Sequence, residues 1–330
     1  ALKEMYRKHA LEKLRKWDAE MVSKGFVDEL TLTQAVNHLM DQKIDFPDDF
    51  RFNSILVDEY QDLSTFDVKF LEKLVSGRKN GLFLVEDVAQ KINAKQLELT
   101  KVIPWEGLSD RRLLKNYRNS KQILDMAYTM LENVLGLDGE EVGKGSEEFN
   151  ILKPELAEKE SAKPFLVKTN HSVAAAWKYA REWRDGGNAP FTSCILTVDP
   201  KKISTDEILA QVPDGTQTQI LTGDFLEAPE NFVVAELEQV KGFEFLQVII
   251  LGAEKDVFPL NVDNADVSLK DHERDLLRLY VGITRARDEV RFLYESEPSP
   301  FLDGVREKMT EVEEVLDIKE LPEPKPEPKS

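Results

Sequence analysis

Ile55-Leu56-Val57-Asp58-Glu59-Tyr60-Gln61-Asp62 is the stretch whose reading decides the fold. Three apolar β-formers run straight into adjacent carboxylates. A strand buried in a parallel sheet is apolar along its length, and such sheets meet their ligands beyond the carboxyl ends of the strands. The order of residues therefore predicts a parallel strand that delivers acids to a phosphate site. Asp58 is the candidate for holding Mg²⁺ through water, and Glu59 the candidate for polarising an attacking water. A strand followed by an ordinary acidic turn has the same local signature, so the rest of the chain must separate the two readings.

Downstream, Gly81-Leu82-Phe83-Leu84-Val85-Glu86-Asp87 repeats the pattern of an apolar strand ending in acids. A helix predicted over 66–75 joins the two, which makes a βαβ unit. Upstream, residues 1–26 carry apolar side chains at helical spacing, predicting a core-facing helix that includes Trp17. A second helix is expected behind a Thr31/Thr33 cap. Beyond Arg112, Ser120 is placed to cap a helix running to about Leu135. Strands are then predicted at 164–167, 192–198, 217–222, 232–237, 247–251 and 289–294, with helices at 172–184, 205–211 and 271–284. The alternation is that of a second α/β domain. Trp177 and Trp183 read as packing residues, and Trp105 is the one candidate for a base-stacking aromatic. Gly139 to Ser146 looks like a phosphate loop, but it has three residues between its glycines instead of four and follows a helix, so it reads as surface loop.

With 62 acidic and 44 basic residues among 330, the net charge is −18. Bulk charge repels nucleic acid, so any contact with it must come from a local groove. One cysteine, Cys194, sits in an apolar run, excluding disulfides and Cys-rich metal sites. No apolar run approaches membrane-spanning length and no signal peptide is visible, which predicts a soluble, cytoplasmic chain without a membrane partner.

Five strings, taken in order, resemble motifs II to VI of the UvrD/Rep-like superfamily-one DNA helicases. They are Asp58-Glu59-Tyr60-Gln61-Asp62; Glu86-Asp87 with Gln90; Asn116-Tyr117-Arg118; Lys241-Gly242-Phe243-Glu244-Phe245; and Tyr280-Val281-Gly282-Ile283-Thr284-Arg285-Ala286-Arg287. The resemblance spans about residues 27–295. It implies RecA-like (P-loop NTPase) parallel sheets, with a partial first domain at 1–110 and a complete second one at 111–300. An acidic helix and a Pro-rich disordered tail at 301–330 follow from composition, the tail offering a place for a protein partner.

The same resemblance implies an ATP-dependent helicase that moves on single-stranded DNA in the 3′-to-5′ direction, of the kind used in DNA repair, with ATP and Mg²⁺ in the cleft between the domains. Phosphoryl transfer through a transition state charged on the γ-oxygens needs a metal, a positioned water and cations. By position, Asp58 matches the metal-binding acid, Glu59 the water-activating residue and Gln90 the γ-phosphate sensor. Arg118 and Arg285 match arginines that reach the γ-phosphate, Tyr117 the aromatic that stacks on the base, and Gly242 and Glu244 contacts on the nucleotide's ribose side.

The departures point elsewhere. No Gly-rich phosphate loop with its Lys and Thr occurs, which predicts an amino-terminally truncated form that hydrolyses ATP poorly by itself. Ile92-Asn93-Ala94-Lys95 lacks the aromatic pair that stacks on bases, Glu86 replaces a Gly, and Glu236 and Glu238 stand where a Thr and a His touch the DNA strand. About 120 residues separate Tyr117 from Lys241, too few for the large inserted subdomain of full-size relatives. The alternative these departures motivate is a helicase-like nucleotide-binding regulatory module without translocation.

Overall fold

The computed structural model describes residues 4–42, 50–75, 81–87, 111, 113, 115–136, 159–222, 228–255, 257–259 and 269–317. The chain divides into two compact units: residues 1–86 with 93–110, and residues 87–92 with 111–330.

In the first unit, α1 (Glu4–Ser23) and α2 (Glu29–Asp41) precede β1 (Ile55–Val57), α3 (Thr65–Leu74) and β2 (Leu82–Leu84). β1 and β2 pair in parallel, with Ile55 opposite Leu82 and Val57 opposite Leu84, and α3 is the crossover of the βαβ unit. Ser64 opens α3 with a capping box: its hydroxyl accepts from the Asp67 N–H, and Asp67 Oδ2 accepts from the Ser64 N–H at 2.8 Å. Val68 of α3 and Tyr60 pack with Val57, Leu63 and Leu84. α2 is capped by Asp28, whose Oδ1 accepts from the Thr31 N–H at 2.6 Å, and not by either threonine. Asn37 ties α2 to α3, its Nδ2 donating to Phe66 O at 2.8 Å.

α1 departs from the expected core-facing helix. Tyr6, Leu11, Leu14 and Trp17 are all exposed. Helical spacing sets which residues share a face, but a face becomes buried only where another element covers it.

The second unit is a seven-stranded, all-parallel sheet of β3 (Phe165–Thr169), β4 (Ser193–Thr197), β5 (Thr218–Ile220), β6 (Phe232–Glu236), β7 (Phe245–Leu251), β8 (Ala286–Tyr294) and β9 (Thr310–Glu314). The strand order is β5-β6-β4-β7-β8-β3-β9. α4 (Lys121–Leu135), α7 (Leu269–Thr284) and the 3-10 helix Pro300–Lys308 contribute to one core, with Ile123, Leu276, Leu279 and Phe301 packed on Leu196, Val248 and Phe292. α5 (Ser172–Asp185) and α6 (Thr205–Ala210) contribute to another, through Trp177 and Ile208. Every residue of β4 is buried, which is why the sequence reads as continuous apolar runs. Cys194 lies in β4, where burial pushes its thiol up, away from ionisation.

The acidic helix expected from residue 301 is absent. A 3-10 helix spans Pro300–Lys308, and Thr310–Glu314 is a strand, β9, paired in parallel with β3. Thr-Glu-Val-Glu-Glu alternates with period two, leaving Val312 and Glu314 half-buried while Glu311 and Glu313 face outward. The sheet therefore runs past residue 300. The Pro-rich tail, the loop at 139–146, Trp105 and Ile92 to Lys95 lie outside the described residues. No helix of the described residues is long and apolar enough to cross a membrane.

Candidate functional site

The first unit presents its acids where β1 ends. Asp58 is exposed, and its Oδ1 accepts from the Glu59 N–H at 2.9 Å. Glu59 has φ +52°, the only non-glycine with positive φ among the described residues. A left-handed glutamate lacks the freedom of glycine and must be held there by its surroundings, and strain of this kind gathers at functional sites. Here the Tyr60 N–H donates to Val85 O at 2.9 Å, fixing the turn against the residue after β2. Gln61, only 2% exposed, donates from Nε2 to Glu59 Oε2. The turn thus lifts the Glu59 carboxylate off the strand direction and hands it to Gln61, a partner the sequence reading passed over although it lies inside the deciding stretch. Gln90 lies outside the described residues.

In the second unit, three of the strings meet at the amino edge of the sheet. Lys241 to Glu244 lead into β7, Arg285 lies between α7 and β8, and Asn116 to Ser120 lead into α4. The Phe245 N–H donates to Arg285 O at 2.9 Å, and the Ser120 N–H to Arg287 O at 3.0 Å. Asn119, 1% exposed, donates from Nδ2 to both Thr284 O at 2.8 Å and Ala286 O at 2.6 Å. Ser120 stands at the N-cap of α4 but does not cap it with its side chain; its hydroxyl accepts from Ser161 Oγ at 2.6 Å.

Arg118 Nε lies 2.6 Å from Glu244 Oε1, and Arg287 Nη1 is 3.9 Å from Glu244 Oε2. Glu244 therefore gathers two cations of the cluster. Arg285 is buried, with Nε donating to Val281 O at 3.2 Å. Tyr117 is 80% exposed, a ring open to stacking, with Lys115 Nζ 5.2 Å from its centroid. Gly242 has φ +86°, and no atom crowds the place of a Cβ, so backbone conformation is what selects glycine there. Gly282 is small for the opposite reason: a Cβ would stand 2.7 Å from Leu237 Cδ1 and 2.9 Å from Leu196 Cδ2.

At the other end of the sheet, where β6 ends, the two acids expected to repel DNA are not equivalent. Glu238 is paired with Arg278 of α7, which also binds Asp275 at 2.9 Å. Its charge is offset locally. The Glu236 N–H donates to Gln239 Oε1 at 3.0 Å, a turn that carries the chain away from β6.

Residues 2–94 match the model of the UvrD/REP helicase N-terminal domain, and residues 221–297 that of the UvrD-like helicase C-terminal domain. Among solved structures, the chain is similar to the carboxy-terminal domain of a possible DNA helicase from Lactobacillus plantarum WCFS1, at 20% identity and TM-score 0.40, covering 59% of this chain and 98% of that one. It is also similar to the PRRSV helicase, at 14% identity and TM-score 0.36, covering 73% of this chain and 34% of that one. No curated protein matched the sequence.

Proposed function

The chain belongs to the UvrD/Rep-like helicases, with residues 2–94 matching their N-terminal domain and residues 221–297 their C-terminal domain, and from that premise we propose that it couples ATP hydrolysis to movement on single-stranded DNA, in the 3′-to-5′ direction. The observation that carries the reading is the convergence of Asn116–Ser120, Lys241–Phe245 and Thr284–Arg287, strings far apart in sequence, in one hydrogen-bonded cluster.

The roles follow the positions these residues hold in the family, and that of Gln90 rests on position alone. Asp58, an exposed carboxylate, would hold Mg²⁺ through water, and the ion would supply charge neutralisation to the phosphates. Glu59, turned by its left-handed backbone and held by Gln61, orients and polarises the attacking water. Gln90 senses the γ-phosphate. Arg118 and Arg285 stabilise the charge that grows on the transferring group, a task for which the planar guanidinium fork is suited. Tyr117 stacks on the base, and Gly242 and Glu244 contact the nucleotide on its ribose side. Movement on DNA relies on local cations and on the offset of Glu238 by Arg278, since the overall charge is −18.

No Gly-rich phosphate loop occurs in the 330 residues, so the chain by itself is expected to turn over ATP slowly. The test is Mg²⁺-dependent ATP turnover of a polypeptide carrying these residues together with such a loop. Glu59→Gln should reduce kcat by about 10²-fold or more while leaving nucleotide affinity nearly unchanged. Turnover indifferent to Glu59→Gln contradicts the assignment.

A further inference from the structure

We infer that Asn119 is a positioning residue: its carboxamide locks Arg118 and Arg285 into one rigid pair. The inference rests on the phosphate-binding reading of those two arginines and deepens it.

Asn119 lies where the loop ahead of α4 meets the junction of α7 and β8. Its two N–H bonds are both used, on the carbonyls of Thr284 and Ala286 that flank Arg285. The carbonyl between them, that of Arg285 itself, is held by the Phe245 N–H. Three successive peptide oxygens are thus fixed, leaving the backbone under Arg285 no freedom to rotate. On its other side, Asn119 Oδ1 accepts from Asn116 Nδ2 at 3.1 Å, and Asn116 Oδ1 in turn accepts from the Arg118 N–H at 2.9 Å. Two asparagine side chains in series, Asn116 and Asn119, therefore join the backbone of Arg118 to the carbonyls around Arg285, with a separation of 165 residues in sequence between Asn119 and Thr284.

Among the twenty side chains this task selects asparagine. It needs two donors in one plane and an acceptor opposite; serine has one donor, aspartate none, and glutamine an extra methylene in a fully packed position. The orientation of the amide is fixed by its partners, since the reverse would set Oδ1 against two carbonyl oxygens. Electrostatic stabilisation of phosphoryl transfer depends on charges already in place when the reaction begins. Two arginines tied to one hub meet that requirement as a unit.

The test uses the 330-residue chain with Asn119→Ser and Asn119→Asp, and Asn133→Ala as control. Asn133 also holds a carbonyl of this unit, donating to Gly304 O at 2.9 Å, but away from the arginines. Amide hydrogen exchange is read at Phe245 and Arg118 and, for comparison, at Ile249 in the middle of β7. Both Asn119 variants should speed exchange at Phe245 and Arg118 by about tenfold or more and leave Ile249 unchanged, whereas the control changes neither. Equal acceleration at all three amides, or none, overturns the proposal by showing a general structural role or no role.

Titration with inorganic tripolyphosphate, followed at the Nε–H signals of Arg118 and Arg285, adds the functional arm. The unsubstituted chain should shift both signals with one common midpoint, and Asn119→Ser should raise that midpoint about tenfold. An unchanged midpoint in the variant overturns the positioning role. Absence of any response in the unsubstituted chain contradicts the phosphate reading of the arginines instead, and the exchange experiment then still decides the clamp.

Discussion

Arg118 Nε and Glu244 Oε1 lie 2.6 Å apart, so a residue assigned to the γ-phosphate and one assigned to the ribose side of the nucleotide are bound to each other. The pair is 35% and 37% exposed, where solvent screens it and such bridges contribute only about 0.2–1 kcal/mol. It is weak enough to open for a triphosphate and strong enough to hold the guanidinium near its place. Glu244→Gln should lower unfolding stability by less than about 1 kcal/mol in a urea titration. It should also bring Arg118 to lower tripolyphosphate concentration, since its competitor is gone; weaker binding in this variant speaks against the exchange.

Gly282→Ala tests how closely α7 approaches the sheet. Alanine is the better helix former by about 1 kcal/mol, yet its methyl would meet Leu237 and Leu196, both fully buried and unable to withdraw. Overpacking of about 1–3 kcal/mol should outweigh the gain and leave the variant less stable. Chemical denaturation followed by fluorescence of the buried Trp177 is the measurement, and a more stable variant shows that the leucines can move.

Arg278 joins Glu238 to Asp275, a residue 1% exposed, and its guanidinium lies 5.5 Å from the Phe258 ring centroid. Arg278→Ala removes a cation from beside a buried carboxylate and should destabilise by about 2 kcal/mol or more. It also uncovers the charge of Glu238. Affinity for single-stranded DNA should fall in this variant and rise with Glu238→Gln, most clearly at low salt; filter binding at two ionic strengths separates these effects.

Burial, followed by the nearby carboxylates Glu86 and Glu72, pushes the Tyr60 phenol from 10.0 up to about 12. Burial and then Glu132 push Tyr128 up to about 12 as well. Both folded values exceed the unfolded one, so the fold favours the protonated phenols. Their contribution is complete below about pH 10 and is lost as pH rises from about 10 to about 12. Urea midpoints across that window should fall, and less so in Tyr60→Phe. The Tyr60 hydroxyl is buried without a hydrogen bond among the described residues, so the phenylalanine should cost little at neutral pH.

Local signals were strong where one residue's neighbours in sequence are also its neighbours in space. The run Ile55-Leu56-Val57 and the β4 run around Cys194 act within a few residues, and the strands they predict are present. α1 misleads because periodicity reports a face and not its cover. β9 was missed because its acids suggest an exposed helix, whereas the strand is specified by pairing with β3, far away in sequence. The site divides the same way. Asp58, Glu59, Arg118 and Arg285 belong to recognisable strings. Asn119 does its work through Thr284 and Ala286, and Glu238 through Arg278, contacts that no spacing along the chain announces.

The most direct measurement is the rate of Mg²⁺-dependent ATP hydrolysis, with and without single-stranded DNA and at low and moderate salt, by a polypeptide carrying these residues and a phosphate loop. A DNA-driven motor predicts strong stimulation that weakens as salt rises, and its loss in Glu59→Gln. Turnover that ignores DNA contradicts the account and leaves a nucleotide-operated switch.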